Sequence, residues 1–192
     1  TLSKPDMAVS QIASDNVAGG AQAAKTLLQL TGSKGKNLVI NVKPGISTTD
    51  QRAQGFEQGL KGKSGVTYLG QQYNNDDPAK ASSIVTATLA KHPDLAGIFA
   101  TNLFGAEGAA SGLRQAGKLG QVKAGGLDGS PDAVAAIKAG ELQYTVLQPV
   151  AVFSEAAVKQ ADNVIKNGST GVDTEKQLFD CLLITKDNVD KY

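Results

Sequence analysis

The sequence predicts an α/β fold in which a mainly parallel sheet carries helices on its faces. Short apolar runs of strand length alternate with longer segments of helical period, in the order expected of βα units rather than hairpins. A third observation agrees with this. Arg52, Asn102, Asp128 and Gln148 each follow closely on an apolar run, where a parallel sheet collects side chains along one edge. A chain of 192 residues buries roughly 70% of its unfolded surface, enough for a core without disulfide or metal staples.

Taken in order, a first strand is expected near residues 7–13, followed by a helix over 16–31 with Val17, Ala21, Ala24 and Leu28 on one face. The run GSKGKN, Gly32 to Asn37, has the glycine and lysine of a phosphate loop, but a Walker loop needs four residues between its glycines and leads from a strand into a helix. Here a helix precedes and a strand, near 37–42, follows, so the run is a turn. The next loop, NVKPGISTTDQR from Asn41 to Arg52, enters a helix through Gly45 and the hydroxyls of Ser47, Thr48 and Thr49. Two readings stay open for those hydroxyls, an anion site at a helix N-terminus and plain helix caps.

A strand near 65–70 leads to a helix over 78–91, with Asp77 as N-cap and Pro78 at the first helical position. Its Ala81, Ile84, Val85, Thr88 and Leu89 form the apolar face. His92 falls in the polar turn before a strand near 96–101, at the sheet edge away from the strand ends that gather polar groups. After a strand near 121–126, Ser130-Pro131-Asp132 opens a short helix and Gly140 closes it in the left-handed conformation. A strand near 142–147 precedes a helix over 150–167, whose Phe153, Ala157, Ala161, Val164 and Ile165 share a face and whose end is marked by Gly168. A last strand is expected near 178–185.

Composition narrows the function. With 19 Lys and Arg against 18 Asp and Glu, the chain has no basic face for nucleic acid. One histidine and one cysteine, His92 and Cys181, exclude an internal disulfide, a metal cluster of ordinary spacing and a Ser-His-Asp or Cys-His catalytic pair at the expected site. Cys181 reads as a small buried hydrophobe. No run approaches the ~20 apolar residues of a membrane helix, and the opening TLSKPDMAVS does not read as a signal peptide.

What remains is a binding site. Gln148 is no turn former, yet Pro149 holds it extended at the end of a strand. Arg52 offers several donors in a fixed fork. Asn102 and Asp128 are each compatible with a local turn, but turn chemistry does not place four such side chains at equivalent positions on four strands. Arg and Asp can each span two neighbouring hydroxyls, and Asn and Gln present a donor beside an acceptor, which suits a sugar or polyol.

At IASDNVAGG (12–20), STTDQRAQGF (47–56), KHPDLAGIFATN (91–102), GGLDGSPDAVAAIKAGEL (125–142), TVLQ (145–148) and LITKDNVDKY (183–192), the chain resembles the periplasmic sugar-binding proteins of bacterial ABC transporters, of the ribose-binding type. That family shares its fold with LacI-type repressor cores. The resemblance implies a periplasmic binding protein type I fold with a Rossmann-like (flavodoxin-like) sheet flanked by helices, here mainly the second lobe. It assigns 15–148 with 181–192 to the sugar-binding second lobe, and 1–14 with 149–180 to the hinge and a remnant of the first. Substrate-binding roles fall on Arg52, Asn102, Asp128 and Gln148, with Ser14, Asp76 and Phe104 as further contacts. Where ribose-binding members stack aromatic rings on the sugar, this chain has Asp76 and Leu127, so another pentose, hexose or polyol is favoured over ribose; Phe104 and Tyr73 are near enough in sequence to substitute.

The implied function is solute binding for uptake of a monosaccharide or polyol, without chemistry, metal or cofactor. The implied partners are the ABC permease membrane subunits, and the implied location is periplasmic or extracellular and lipid-anchored. The alternatives are the effector-binding core of a LacI-type regulator and, remotely, a phosphosugar enzyme using the Lys43 to Thr49 loop. Because most of a first lobe is lacking, the apolar face of helix 150–167 is expected to be bare unless a missing N-terminal fragment or a homodimer covers it.

Overall fold

In a computed structural model, which describes residues 8–192, strands and helices alternate as the patterning predicts. They are β1 (Gln11–Ser14), α1 (Asn16–Thr31), β2 (Gly35–Asn41), α2 (Ser47–Leu60), β3 (Val66–Tyr73), α3 (Pro78–Lys91), β4 (Leu95–Ala100), α4 (Leu103–Gln115), β5 (Lys123–Leu127), α5 (Pro131–Ala139), β6 (Tyr144–Leu147), α6 (Val150–Asn167), β7 (Lys176–Phe179) and β8 (Leu182–Thr185). A 3-10 turn at Val189–Lys191 follows. Local chemistry sets many of the ends. The Asp77 carboxylate accepts from Ala79 N (2.8 Å) and Lys80 N (3.3 Å) at the start of α3, and Ser130 Oγ accepts from Ala133 N (3.0 Å) at the start of α5. Gly32, Gly140 and Gly168 close α1, α5 and α6 at φ of 63°, 77° and 73°, a region where only glycine is free of strain.

Six strands form one sheet in the order β3-β2-β4-β5-β6-β8. It is parallel except for the antiparallel β6–β8 pair at its edge. Both faces are covered, as a parallel sheet requires. Alternate residues serve opposite sides. Leu38 and Ile40 of β2 face a core shared with α3, α4 and α5, while Val39 faces one shared with α1 and α2. On the second side Phe56 of α2 stacks on Phe99 of β4 with ring centroids 4.8 Å apart.

Helices α1 and α2 approach closely because two glycines interlock. A Cβ on Gly20 would lie 2.0 Å from the Arg52 carbonyl oxygen, and one on Gly55 would lie 2.0 Å from the Val17 carbonyl oxygen. This crossing and the sheet beneath it together bury more of α1 than the expected face. Ala24 and Leu28 are buried, together with Gly19, Gly20, Ala23, Thr26 and Leu27, while Val17 and Ala21 are half-buried.

Most strand ends shift from expectation by one to three residues, β3 running on to Tyr73, and two differences alter the pairing. The first strand is Gln11–Ser14 rather than 7–13, and residue 7 lies outside the described residues. The apolar run expected as one strand over 178–185 is two. β7 pairs in parallel with β1, whereas β8 pairs with β6, so the chain changes sheets across Asp180 and Cys181, within a run that reads as a single apolar strand but for Asp180.

The β1–β7 pair stands apart from the six-stranded sheet and carries α6. Ser10, Gln160 and Gln177 bond to one another beneath the helix, with Ser10 Oγ donating to Gln160 Oε1 at 2.6 Å and Gln160 Nε2 to Gln177 Oε1 at 2.8 Å. Phe153 meets Phe179 edge-on at 6.5 Å. Of the helix itself only Gln160 is buried, and Ile165 is 84% exposed. Val9, Ile12, Ala157, Ala161, Val164 and Ile165 line an open groove of about 690 Å³. Among the described residues, most of the apolar face of α6 is therefore uncovered, as expected.

Candidate functional site

The loops after β2, β3, β4, β5 and β6 all emerge at the carboxyl edge of the sheet, around the point between β2 and β4 where the strand order reverses. Ligands of open α/β sheets bind there. The loop after β2 is fastened from within. Asp50 accepts from Gly45 N (2.9 Å) and from Asn41 Nδ2 (2.9 Å), and α2 begins after Ile46 without a side-chain cap. Ser47, Thr48 and Thr49 are therefore first-turn residues rather than caps. A carboxylate already takes the Gly45 N–H, which leaves this loop poorly suited to a phosphate.

One turn into α2, Arg52 is 5% exposed and reaches back over the strand ends. Its Nε donates to Asn16 Oδ1 (2.9 Å), and its Nη1 donates to the Thr101 carbonyl (2.8 Å) and to Asp128 Oδ2 (3.5 Å). Burial pulls the guanidinium's pKa down, and the charge of Asp128 works against that shift. The buried unpaired side-chain atoms among the described residues are Tyr68 Oη, Asn74 Oδ1 and Tyr144 Oη. Among the described residues Arg52 Nη2 has no acceptor, and it is not one of those buried atoms.

Asp128 follows β5 with φ of 89°, a conformation that costs a side-chain-bearing residue about 1–3 kcal/mol and is held only where its surroundings demand it. They do so here. Asp128 N donates to Val146 O (2.9 Å), Thr145 Oγ1 donates to the Asp128 carbonyl (2.5 Å), and Gln148 Nε2 donates to Asp128 Oδ1. Gln148 in turn accepts from Ser14 Oγ at 2.8 Å, and Asn16 Nδ2 donates to the Ser14 carbonyl at 3.1 Å. Ser14, Gln148, Asp128, Arg52 and Asn16 thus close a ring of hydrogen bonds where β1 and β6 leave their sheets.

A second pair lies beyond it. Asn102 Oδ1 caps α4 by accepting from Gly105 N (3.1 Å), while its Nδ2 donates to Asp76 Oδ1 (2.6 Å). Asn102 therefore serves the turn and faces the loop after β3 at once. Asn75 and Asp76 both have positive φ, 56° and 64°, which turns the Asp76 carboxylate across the strand ends. Phe104, in the first turn of α4, is 43% exposed rather than packed in the core. Tyr73 is half-buried. Leu127 is fully buried in the core beside α1 and α2 and does not line the edge.

The structure brings Arg52, Asp128, Gln148 and Ser14 into one bonded set and Asn102 and Asp76 into another. Sequence reasoning missed Asn16 and Thr101, which fix the guanidinium. The signal at Asn16 was its redundancy: Asp15 already caps α1, accepting from Ala18 N at 2.9 Å, so an Asn in the next position needs another partner. Cys181 is half-buried rather than in the core. It adjoins the ring, where burial raises its thiol pKa and Ser14 and Arg52 partly offset the rise. Among the described residues no group of three or more His, Cys, Asp or Glu is placed to hold a metal ion.

Residues 3–169 match the family model described as periplasmic binding protein domain. A D-apiose import binding protein of Paraburkholderia graminis is 35% identical over 185 residues, which cover 96% of this chain and 59% of that protein. A ribose import binding protein of Salmonella typhimurium is 34% identical over 158 residues, covering 82% and 53%. Among solved structures, an ABC transporter solute binding protein from Agrobacterium vitis bound with alpha-D-tagatopyranose superposes with a TM-score of 0.90 at 40% identity, covering 96% of this chain and 61% of that one. One from Actinobacillus succinogenes with bound D-allose gives a TM-score of 0.89 at 27% identity, covering 95% and 63%. The chain thus spans about three fifths of the length of the D-apiose relative and of both solved structures.

Proposed function

The chain belongs to the periplasmic binding protein family, and from that premise we propose that it is the second lobe of a solute-binding protein that captures a neutral monosaccharide or polyol for an ABC importer. The observation that carries the reading is the convergence of Arg52, Asn102, Asp128, Gln148 and Asp76 from successive strand ends, with Arg52 Nη2 and the remaining carboxylate lone pairs left for a ligand. Donors and acceptors interleave, with one cation and two acids among them, which matches a ring edge of vicinal hydroxyls rather than an anion. Ser14 and Phe104 complete the edge. Asp76 presents a carboxylate where a ring face would stack, which favours a hydroxyl-rich ligand such as the ketohexose or the aldoses held by the relatives.

Residues 15–148 with 181–192 form the sugar-binding lobe in this reading, and 1–14 with 149–180 the hinge and remnant of the first. The separate β1–β7 pair supports that division. The bare face of α6 is where the rest of a first lobe packs, in keeping with the greater length of the relatives. A concentration-dependent dimer in light scattering, built on that face, would replace this account of its cover. The protein works in the periplasm or on a lipid anchor at the outer surface, and delivers its ligand to the permease subunits.

Titration of the 192-residue chain with D-tagatose, D-apiose, D-allose and D-ribose, followed by amide shifts in NMR, is the direct test. Weak binding is expected, because one lobe desolvates only one face of the sugar. Shifts should map to the loops after β2, β3, β4, β5 and β6. A panel that moves none of these amides at millimolar sugar overturns the proposal.

A further inference from the structure

We infer that Asn16 is a positioning residue, which sets the orientation of the Arg52 guanidinium and ties it to the point where the chain leaves β1. Arg52 hangs from α2, yet nothing on α2 orients its head; the partners come from elsewhere. Thr101 O and Asp128 Oδ2 both engage Nη1, at 2.8 Å and 3.5 Å. Both of those acceptors sit on Nη1, so neither holds the Nε edge. Asn16 Oδ1, at 2.9 Å from Nε, supplies the contact on that edge, and with the Nη1 partners it fixes which way Nη2 points.

Asn16 is itself held. It is 4% exposed, sits at the first position of α1, and spends its amide donor on the Ser14 carbonyl at 3.1 Å. That bond also settles the amide's orientation, so Oδ1 must be the atom facing Arg52. The Gly20–Gly55 crossing brings α1 and α2 close enough for the contact. Any movement at Ser14, where the chain passes between the two sheets, therefore reaches Arg52 through a single side chain. Gln148 closes the other half of the ring, so the same movement reaches Asp128.

The test has a sugar-free arm and a sugar arm, the second of which rests on the proposed function. In the sugar-free arm, NMR follows solvent exchange of the Arg52 Nε–H. Asn16→Leu should strip its protection and shift its resonance, and Asn16→Asp, which keeps an acceptor at the same place, should restore both. In the sugar arm, Asn16→Leu should weaken binding of D-tagatose roughly 10- to 100-fold, the usual result of stranding a buried donor. In an Arg52→Lys background, which has no Nε–H, the same substitution should have almost no further effect. Unchanged Nε–H exchange in Asn16→Leu overturns the inference, as does an effect on binding that persists in full beside Arg52→Lys. If no sugar binds, the proposed function fails while the exchange arm still decides the role of Asn16.

Discussion

Substituting Gly20 or Gly55 by alanine sets two effects of opposite sign against each other, and the structure says which wins. In an exposed helix the change is favourable by about 1 kcal/mol, since alanine loses less backbone freedom on folding. Here the added Cβ would sit 2.0 Å from the carbonyl oxygen of Arg52 or of Val17, against an ordinary contact of 3.4 Å or more, so α1 and α2 must part by more than an ångström. The obstructing atom is backbone and cannot rotate aside. Overpacking costs about 1–3 kcal/mol and more where nothing yields, so each variant should lose about 2 kcal/mol net. For a domain of this size that is a fall of about 4–8 °C in Tm, measurable by calorimetry or by urea unfolding with an unchanged m value. Separation of the helices also withdraws Asn16 from Arg52, so sugar binding should weaken in the same variants. A Gly20→Ala or Gly55→Ala protein as stable as its parent, or more so, would show that the two helices do not meet as described.

Four further outcomes are expected. Arg52→Ala and Asp128→Ala should each cost about 1.5–3 kcal/mol of sugar binding, roughly 10- to 150-fold, which calorimetry or NMR titration reads; unaltered affinity in both would remove them from the site. Tyr144→Phe should stabilise the fold by about 1 kcal/mol, because the Tyr144 hydroxyl is fully buried with no protein partner and an unsatisfied polar group is costly to bury; a lower Tm would mean that the hydroxyl is bonded. Cys181, whose thiol pKa is raised chiefly by burial, should react with iodoacetamide along a pH profile displaced above that of a free thiol, because only the thiolate attacks. Bound sugar should slow that reaction, and a profile at or below the ordinary thiol range would contradict the burial. Asp76→Phe should change the rank order of sugars bound, by exchanging acceptors for a stacking face, while Asp76→Asn should lower affinity without reordering them.

Much of this molecule is legible locally. The bounds of α3, α5 and α6 follow from Asp77, Pro78, Ser130, Pro131, Gly140 and Gly168, because a cap acts on amides or carbonyls within its own turn. The placement of Asn102, Asp128 and Gln148 just past strand ends, and of Arg52 in the helix that follows β2, is legible too, since period and punctuation locate the ends of strands. The first strand was misplaced and the last one merged for a shared reason. Strand ends are decided by the partner strand, and β1, β7 and β8 have partners more than thirty residues away. Ser47, Thr48 and Thr49 had the composition of caps, but Asp50 closes the loop from inside the helix, a choice that residue types alone do not announce.

By itself the sequence determined the βα alternation, the helix ends, and the set of polar residues delivered to one edge. These depend on periodicity, capping and residue inventory, which act over a few positions. Only the tertiary structure decided who holds whom: Asn16 on Arg52, Thr101 on the same guanidinium, Asp76 on Asn102, and Gly20 against Gly55. Each of those contacts joins residues brought together by packing, and a buried guanidinium must take whatever acceptors the fold presents within about 3 Å. The orientation that makes Arg52 useful to a ligand is therefore a property of the assembled lobe.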